Sequence, residues 1–316
     1  MRYDVGIKPF TEFWVDCKCN LIYSILTTLD DSNKMYAYIN SYSYSILKKQ
    51  SKGNEPFLNL ELNFEQNLFD YIFINKNYLS ARSNENYLDQ LKDLVKQKKY
   101  VLIGVDLFYW IPNSICWNKH HWYHYSFLNG FDDYTKDYFV LDENMKGYSE
   151  FIIPESRLNT AMQESTIKHD IKFYDINQNI SKPIIGVDDL VKNSENIVKS
   201  INEINDDFWL MSEFDYDICY FQDLNAMNLF KIENRHKANY SLFSELHKMG
   251  LLNGNTSLEL QSICLELIYK WQLSKSQLIK SYYGKNRTEK ILKLNRNIRG
   301  LLNLEKSMWE KLVSSL

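Results

Sequence analysis

Apolar positions recur at spacings of three and four along residues 17 to 30, where Leu21, Ile22, Ile25, Leu26 and Leu29 share one side. The spacing predicts a helix with a buried stripe that begins near Cys17. A second helix is predicted over 85 to 98, with Leu88, Leu91, Leu94 and Val95 on one face. The lysines from Lys96 to Lys99 crowd its C-terminal end, where cations are favoured. Tyr100 to Val105 follows at once as a strand. From 122 to 153 the pattern turns to aromatic and β-branched residues interrupted by Asp132-Asp133-Tyr134-Thr135-Lys136-Asp137 and Asn144-Met145-Lys146-Gly147. Three antiparallel strands are expected, over 122 to 131, 138 to 142 and 148 to 153.

Pro154 marks a boundary, and beyond about 156 the sheet pattern fades. Helical periodicity dominates from Leu190 to Ile204, Leu224 to Met249, Ser257 to Leu273 and Leu278 to Ser315, punctuated by Gly250, Gly254 and Gly284. The expected class is α+β. Residues 1–155 form a domain with an N-terminal helix packed on an antiparallel sheet, and residues 156–316 form an all-helical domain that shapes substrate access.

Composition narrows the partners. Hydrophobic residues at 45% and aromatic residues at 15% of 316 are ample for two sizeable cores. A net charge of -3 gives no electrostatic case for nucleic acid or an anionic membrane surface. No run approaches the roughly 20 apolar residues of a membrane span, and Met1-Arg2-Tyr3-Asp4-Val5-Gly6 lacks the apolar core of a signal peptide, so a cytoplasmic location is expected. The five cysteines (Cys17, Cys19, Cys116, Cys219, Cys264) are odd in number and scattered, which favours free thiols over a disulfide framework.

The candidate chemistry lies in the first half. A thiol at a helix N-terminus feels the positive end of the dipole and is expected to ionise easily, and a histidine beside it can take its proton. Cys17 and Cys19 both fit, but residues two apart on a helix point about 200° apart, so one of them faces the histidine. In His120-His121-Trp122-Tyr123-His124, the last histidine opens the strand, with 124, 126 and 128 on one face and His121 at the entrance. Asp142 ends the following strand, where a carboxylate can hold the second imidazole nitrogen, with Asn144 in reserve. Cys116 with the three histidines matches no familiar ligand spacing, so no metal is expected. Tyr109, in Phe108-Tyr109-Trp110-Ile111-Pro112, is a candidate substrate contact in a stretch that otherwise reads as packing, and Asp106 caps a turn or joins the site.

Asp16-Cys17-Lys18-Cys19-Asn20, the strand end Val105-Asp106-Leu107-Phe108-Tyr109, the run from His124 to Gly130-Phe131-Asp132, and the final Asp142 together resemble the papain-like acyltransferases of bacterial metabolite clusters, of the butirosin-biosynthesis type. The resemblance covers roughly residues 1 to 155. The stretch from His124 to Asp142 is more distantly similar to the peptidase domains of bacteriocin-processing transporters and to the papain-fold enzyme that forms amides in closthioamide assembly. It implies a papain-like fold with Cys17 rather than Cys19 as nucleophile, His124 as base and Asp142 as its orienter. It also implies an acyl group delivered as a carrier-protein thioester on phosphopantetheine, with no other cofactor, and an amine acceptor. The chain departs from papain-like peptidases in having no glutamine between Lys8 and Asp16 to complete an oxyanion hole, so Asn20, Trp14 or Thr11 is expected to supply the second donor beside the Cys17 N–H. A thioester is already activated and requires less such help, which favours transfer over peptide hydrolysis. A papain-like peptidase or amidase and a catalytically silent binding protein are the alternatives. The basic residues from Lys285 to Arg299 read as a solvated helix face or a dock for an acidic carrier.

Overall fold

The structure, a computed structural model, describes residues 1–39, 41–46, 55–58, 60–64, 68–81, 86–167, 170–204, 209–212, 218–283 and 285–316. In chain order the elements are β1 (Arg2–Asp4), α1 (Cys17–Leu29), α2 (Met35–Tyr38), β2 (Tyr42–Ile46), β3 (Glu55–Leu58), β4 (Leu60–Phe64), α3 (Leu68–Ile72), β5 (Phe73–Leu79), α4 (Tyr87–Lys96), β6 (Tyr100–Asp106), β7 (Tyr123–Asp132), β8 (Asp137–Asn144), β9 (Gly147–Pro154), α5 (Glu155–Glu164), β10 (Ile171–Ile176), α6 (Val187–Glu203), β11 (Trp209–Ser212), α7 (Ile218–Lys248), α8 (Gly254–Tyr282) and α9 (Arg287–Ser315). The class is α+β, with an antiparallel sheet and C-terminal helices.

The chain divides into two compact units, 1–34 with 67–182 and 35–66 with 183–316. The predicted single cut at 155 is therefore corrected twice. The sheet extends past Pro154 to take in β10, and residues 35 to 66 belong with the helices. In the first unit the strand order is β5-β10-β6-β7-β8-β9, every pairing antiparallel, with β1 alongside β7 beyond the end of β6. Gly130 makes that last pairing possible, since a Cβ there would stand 2.5 Å from the Tyr3 carbonyl. A bulge between Leu128 and Gly130 frees Asn129 from the ladder. Its buried carboxamide accepts from the Ile7 N–H and donates to the Ile7 carbonyl, both at 3.0 Å, and so ties the segment leading to Cys17 onto the sheet.

The second unit holds α6 to α9 and two two-stranded ladders, β2 with β4 and β3 with β11, so it is mainly helical rather than all-helical. Helix α8 runs through the break expected between Leu273 and Leu278, because Trp271, Ser274 and Leu278 keep the buried stripe at spacings of three and four. Gly284 and the side chain of Cys219 lie outside the described residues. No described helix is long and apolar enough to cross a membrane.

Inside this unit Glu305 is wholly buried and accepts from the hydroxyls of Tyr42 (2.5 Å) and Tyr44 (2.6 Å). The guanidinium of Arg235, also buried, donates to the carbonyls of Ala37 and Tyr38 and to Asn239 Oδ1. Glu305→Ala leaves two buried phenols without their acceptor and is expected to cost roughly 3–5 kcal/mol. Urea unfolding of the variant against exposed Lys248→Ala, which should shift by less than about 0.5 kcal/mol, checks it.

Candidate active site

Asp16 positions the site. Its backbone is extended and its carboxylate accepts the Cys19 N–H at 2.7 Å, so it caps α1 and puts Cys17 at the first helical position. Asn20, fully buried one turn on, accepts from the Val15 N–H (2.9 Å) and donates to the carbonyls of Phe10 (3.3 Å) and Phe13 (3.0 Å). Both of its N–H groups are committed to the approaching chain. Its expected part in an oxyanion hole gives way to a structural one.

Three elements bring the reactive groups together. Cys17 Sγ from α1 lies 3.9 Å from His124 Nδ1 on β7, and His124 Nε2 lies 3.1 Å from Asp142 Oδ2 on β8. Cys17 Sγ is also 4.0 Å from Asp142 Oδ1. The aspartate is held from two sides, since the indole N–H of Trp110 donates to Oδ2 at 2.8 Å and the Glu143 N–H donates to Oδ1 at 2.8 Å. Trp110 is wholly buried, so its bond to Asp142 is shielded from water. Asn144, the reserve orienter, instead accepts the Lys146 N–H at 2.8 Å in the β8–β9 turn. Cys19 takes no part among the described residues of the Cys17, His124 and Asp142 cluster.

Tyr109 and His121 belong to a different cluster. His121 stacks on Phe108 with ring centroids 4.5 Å apart, its Nδ1 lies 2.7 Å from Asp106 Oδ2, and the Tyr109 ring is 5.9 Å away. Asp106 is fully buried and also accepts the Phe108 N–H at 3.0 Å, so it both caps the turn and anchors the histidine. Neither Tyr109 nor His121 lines the cavity at Cys17.

The charges depart from expectation at the thiol. Burial, with the carboxyl groups of Glu143 and Asp142 beside it, pushes Cys17 well above the ordinary thiol range. A helix N-terminus offers about 0.3–1 kcal/mol to a thiolate, which desolvation beside two acids exceeds. The resting thiol is therefore protonated. Burial also works against the His124 imidazolium, but Asp142 outweighs it and makes the histidine more basic than usual. Asp142 is opposed by burial in turn, yet His124 and the Glu143 N–H hold it below the usual carboxyl range. The three groups stand in line, with His124 Nδ1 facing the thiol and His124 Nε2 facing the carboxylate.

Glu143 is the residue that the sequence did not single out. Its carboxyl takes the Trp14 indole N–H, which removes Trp14 as a free oxyanion donor, and burial together with Asp142 raises it to about 7. Its ionised form is thus destabilising. The cost is absent below the ordinary 4.5, grows as pH rises to about 7 and is complete above it. Glu143→Gln should raise the unfolding midpoint at pH 8 and leave it unchanged at pH 4. The same change removes an anion beside the thiol, so alkylation of Cys17 by iodoacetamide should quicken about tenfold at pH 8. Equal alkylation rates at pH 8 would remove Glu143 from the site's electrostatics.

Cys17 and His124 border a cavity of about 440 Å³ whose walls include Leu21, Phe127 and Tyr148. The sequence offers no familiar metal spacing because the potential ligands come from three separate elements. Even so, one ligand atom each from Cys17, His124 and Asp142 lies within 4.8 Å of the others, a spread that a single divalent ion could draw together. No protein-family model matches the chain and no curated protein matches it, so the case for a function rests on the geometry of these side chains.

Proposed function

We propose that this protein is a cysteine acyltransferase with a papain-like catalytic unit, operating in the cytoplasm of a bacterium on acyl groups carried as protein-bound thioesters. The observation that carries the reading is the relay of Cys17 Sγ, 3.9 Å from His124 Nδ1, and His124 Nε2, 3.1 Å from Asp142, beside a largely apolar cavity. His124 takes the thiol proton as Sγ attacks the acyl carbonyl, and the tetrahedral intermediate gains one oxyanion donor from the Cys17 N–H. Its collapse expels the carrier thiolate, which takes the proton from the imidazolium and leaves an acyl group on Cys17. An amine then attacks this thioester and gives its proton to His124, and the Cys17 thiolate departs and is reprotonated. Asp142, fixed by Trp110, keeps the imidazole in the tautomer with Nδ1 open to sulfur. The half-buried sulfur and apolar walls favour amine over water. The donor brings phosphopantetheine, and the partners are its carrier protein and a small amine.

The closeness of three metal-ligand atoms favours a second reading, a divalent-metal site with Cys17, His124 and Asp142 as ligands. Incubation with an N-acetylcysteamine thioester, with and without prior chelation, separates the two. Acylation of Cys17 that survives a chelator supports the transferase, and activity restored only by added zinc supports the metal.

A further inference from the structure

The cavity at Cys17 has a charge pattern that acyl transfer alone does not require. Its floor follows one rung of the sheet, in which Leu141 on β8 pairs with Phe127 on β7, Phe127 with Leu102 on β6, and Leu102 with Lys172 on β10. Side chains paired in this way share one face. The floor is therefore apolar for three strands and cationic at the fourth, about 14 Å from the first at the usual strand spacing. Lys172 leans back over the floor, its Nζ 3.6 Å from the centre of the Tyr125 ring. Lys76 and Lys18 also line the cavity. Among the described residues none of these three ammonium groups has an ion pair, and burial, with the like charge of Lys76 added to it, holds Lys172 below the usual lysine range. Lys18 and Lys76 are exposed and Lys172 is half-buried, so together they place positive charge along one side of the cavity, where it favours an anion.

We infer that the acyl donor accepted by this cavity carries an anionic group, held by Lys172 with Lys76 and Lys18, while its carbonyl lies at Cys17. This deepens the transferase reading and rests on it for the position of the carbonyl. The chain between carbonyl and anion lies over the apolar part of this floor, toward the Lys172 ammonium above Tyr125. A carboxylate at the far end of the acyl chain meets the geometry, and the phosphate of the carrier's pantetheine arm offers the same chemistry.

The test uses the full chain and measures adduct on Cys17 by intact mass. Glutaryl and pentanoyl N-acetylcysteamine thioesters are compared, as are pentanoyl-pantetheine and its 4′-phosphate. A charge-assisted contact is expected to make the anionic member of one pair react at least about tenfold faster. Lys172→Gln should abolish that preference by slowing the anionic donor, and Lys172→Arg should restore it. Preference within the first pair assigns the anion to the acyl chain, and within the second to the arm. Equal rates within both pairs, or a preference unchanged in both Lys172→Gln and Lys76→Gln, overturn the inference. A separate arm asks whether glutaramate, compared with neutral pentanamide, protects Cys17 from iodoacetamide. Failure of every thioester to acylate Cys17 would sink the transferase reading, whereas protection by glutaramate that is lost in Lys172→Gln would still support the anion site. Equal protection by the two would overturn it.

Discussion

Cys17→Ala is expected to lower acyl transfer at least about 1000-fold, while Cys19→Ala keeps most of the rate. The two residues are two positions apart on α1, and the one beside His124 and Asp142 is Cys17. Neither change should unfold the first unit, since both side chains are only partly buried. The assay is amide formation from an acyl thioester and a simple amine, with thermal unfolding as control. An equal loss in both variants, or full activity in Cys17→Ala, contradicts the assignment. The protonated resting thiol adds a second expectation. Iodoacetamide should label Cys17 slowly at neutral pH, because burial and two acidic neighbours hold the proton on sulfur.

His124→Ala should cost at least as much as Asp142→Asn, with losses of about 1000-fold and about 100-fold or more respectively. In the proposed transfer the histidine would move the proton, whereas the aspartate would only orient the imidazole and stabilise its charged form. Trp110→Phe removes the indole donor to Asp142 at similar volume and should cost about tenfold, the worth of one hydrogen bond to a charged group. His121→Ala should stay near the wild-type rate, because that ring is held by Asp106 and Phe108 outside the cavity. If His121 rather than His124 proved essential, the relay would be misassigned. As pH rises through the raised pKa of His124 the imidazole becomes neutral and able to accept the thiol proton, so the acylation rate should rise with pH there.

The elements that carry the site could be read from the sequence because each is strongly periodic. Helix α1 begins at Cys17, and β7 and β8 match the expected strands to within about two residues at each end. Long-range partners were not readable. Strand β10, Ile171–Ile176, lies between β5 and β6, so its place depends on segments about 70 to 100 positions earlier in the chain. The departure of the chain at residue 35 and its return at 67 likewise have no local signature. Within the site, residue types were visible but their commitments were not. Asn20 looked like a free amide until Phe10, Phe13 and Val15 claimed it, and Trp110 looked like packing until its indole met Asp142. Glu143 escaped notice because a carboxyl after a strand-ending aspartate reads as a turn residue. Burial beside Cys17 and the Trp14 indole gives it another role.

The most direct measurement is intact-mass analysis of the full-length protein mixed with an acylated carrier protein in the absence of amine. A single acyl mass on Cys17 is expected, absent in Cys17→Ala, stable to water for many turnover times and released as amide when an amine is added. Rapid release of free acid without an accumulated adduct, or no adduct on Cys17 under any condition, would contradict acyl transfer through this cysteine.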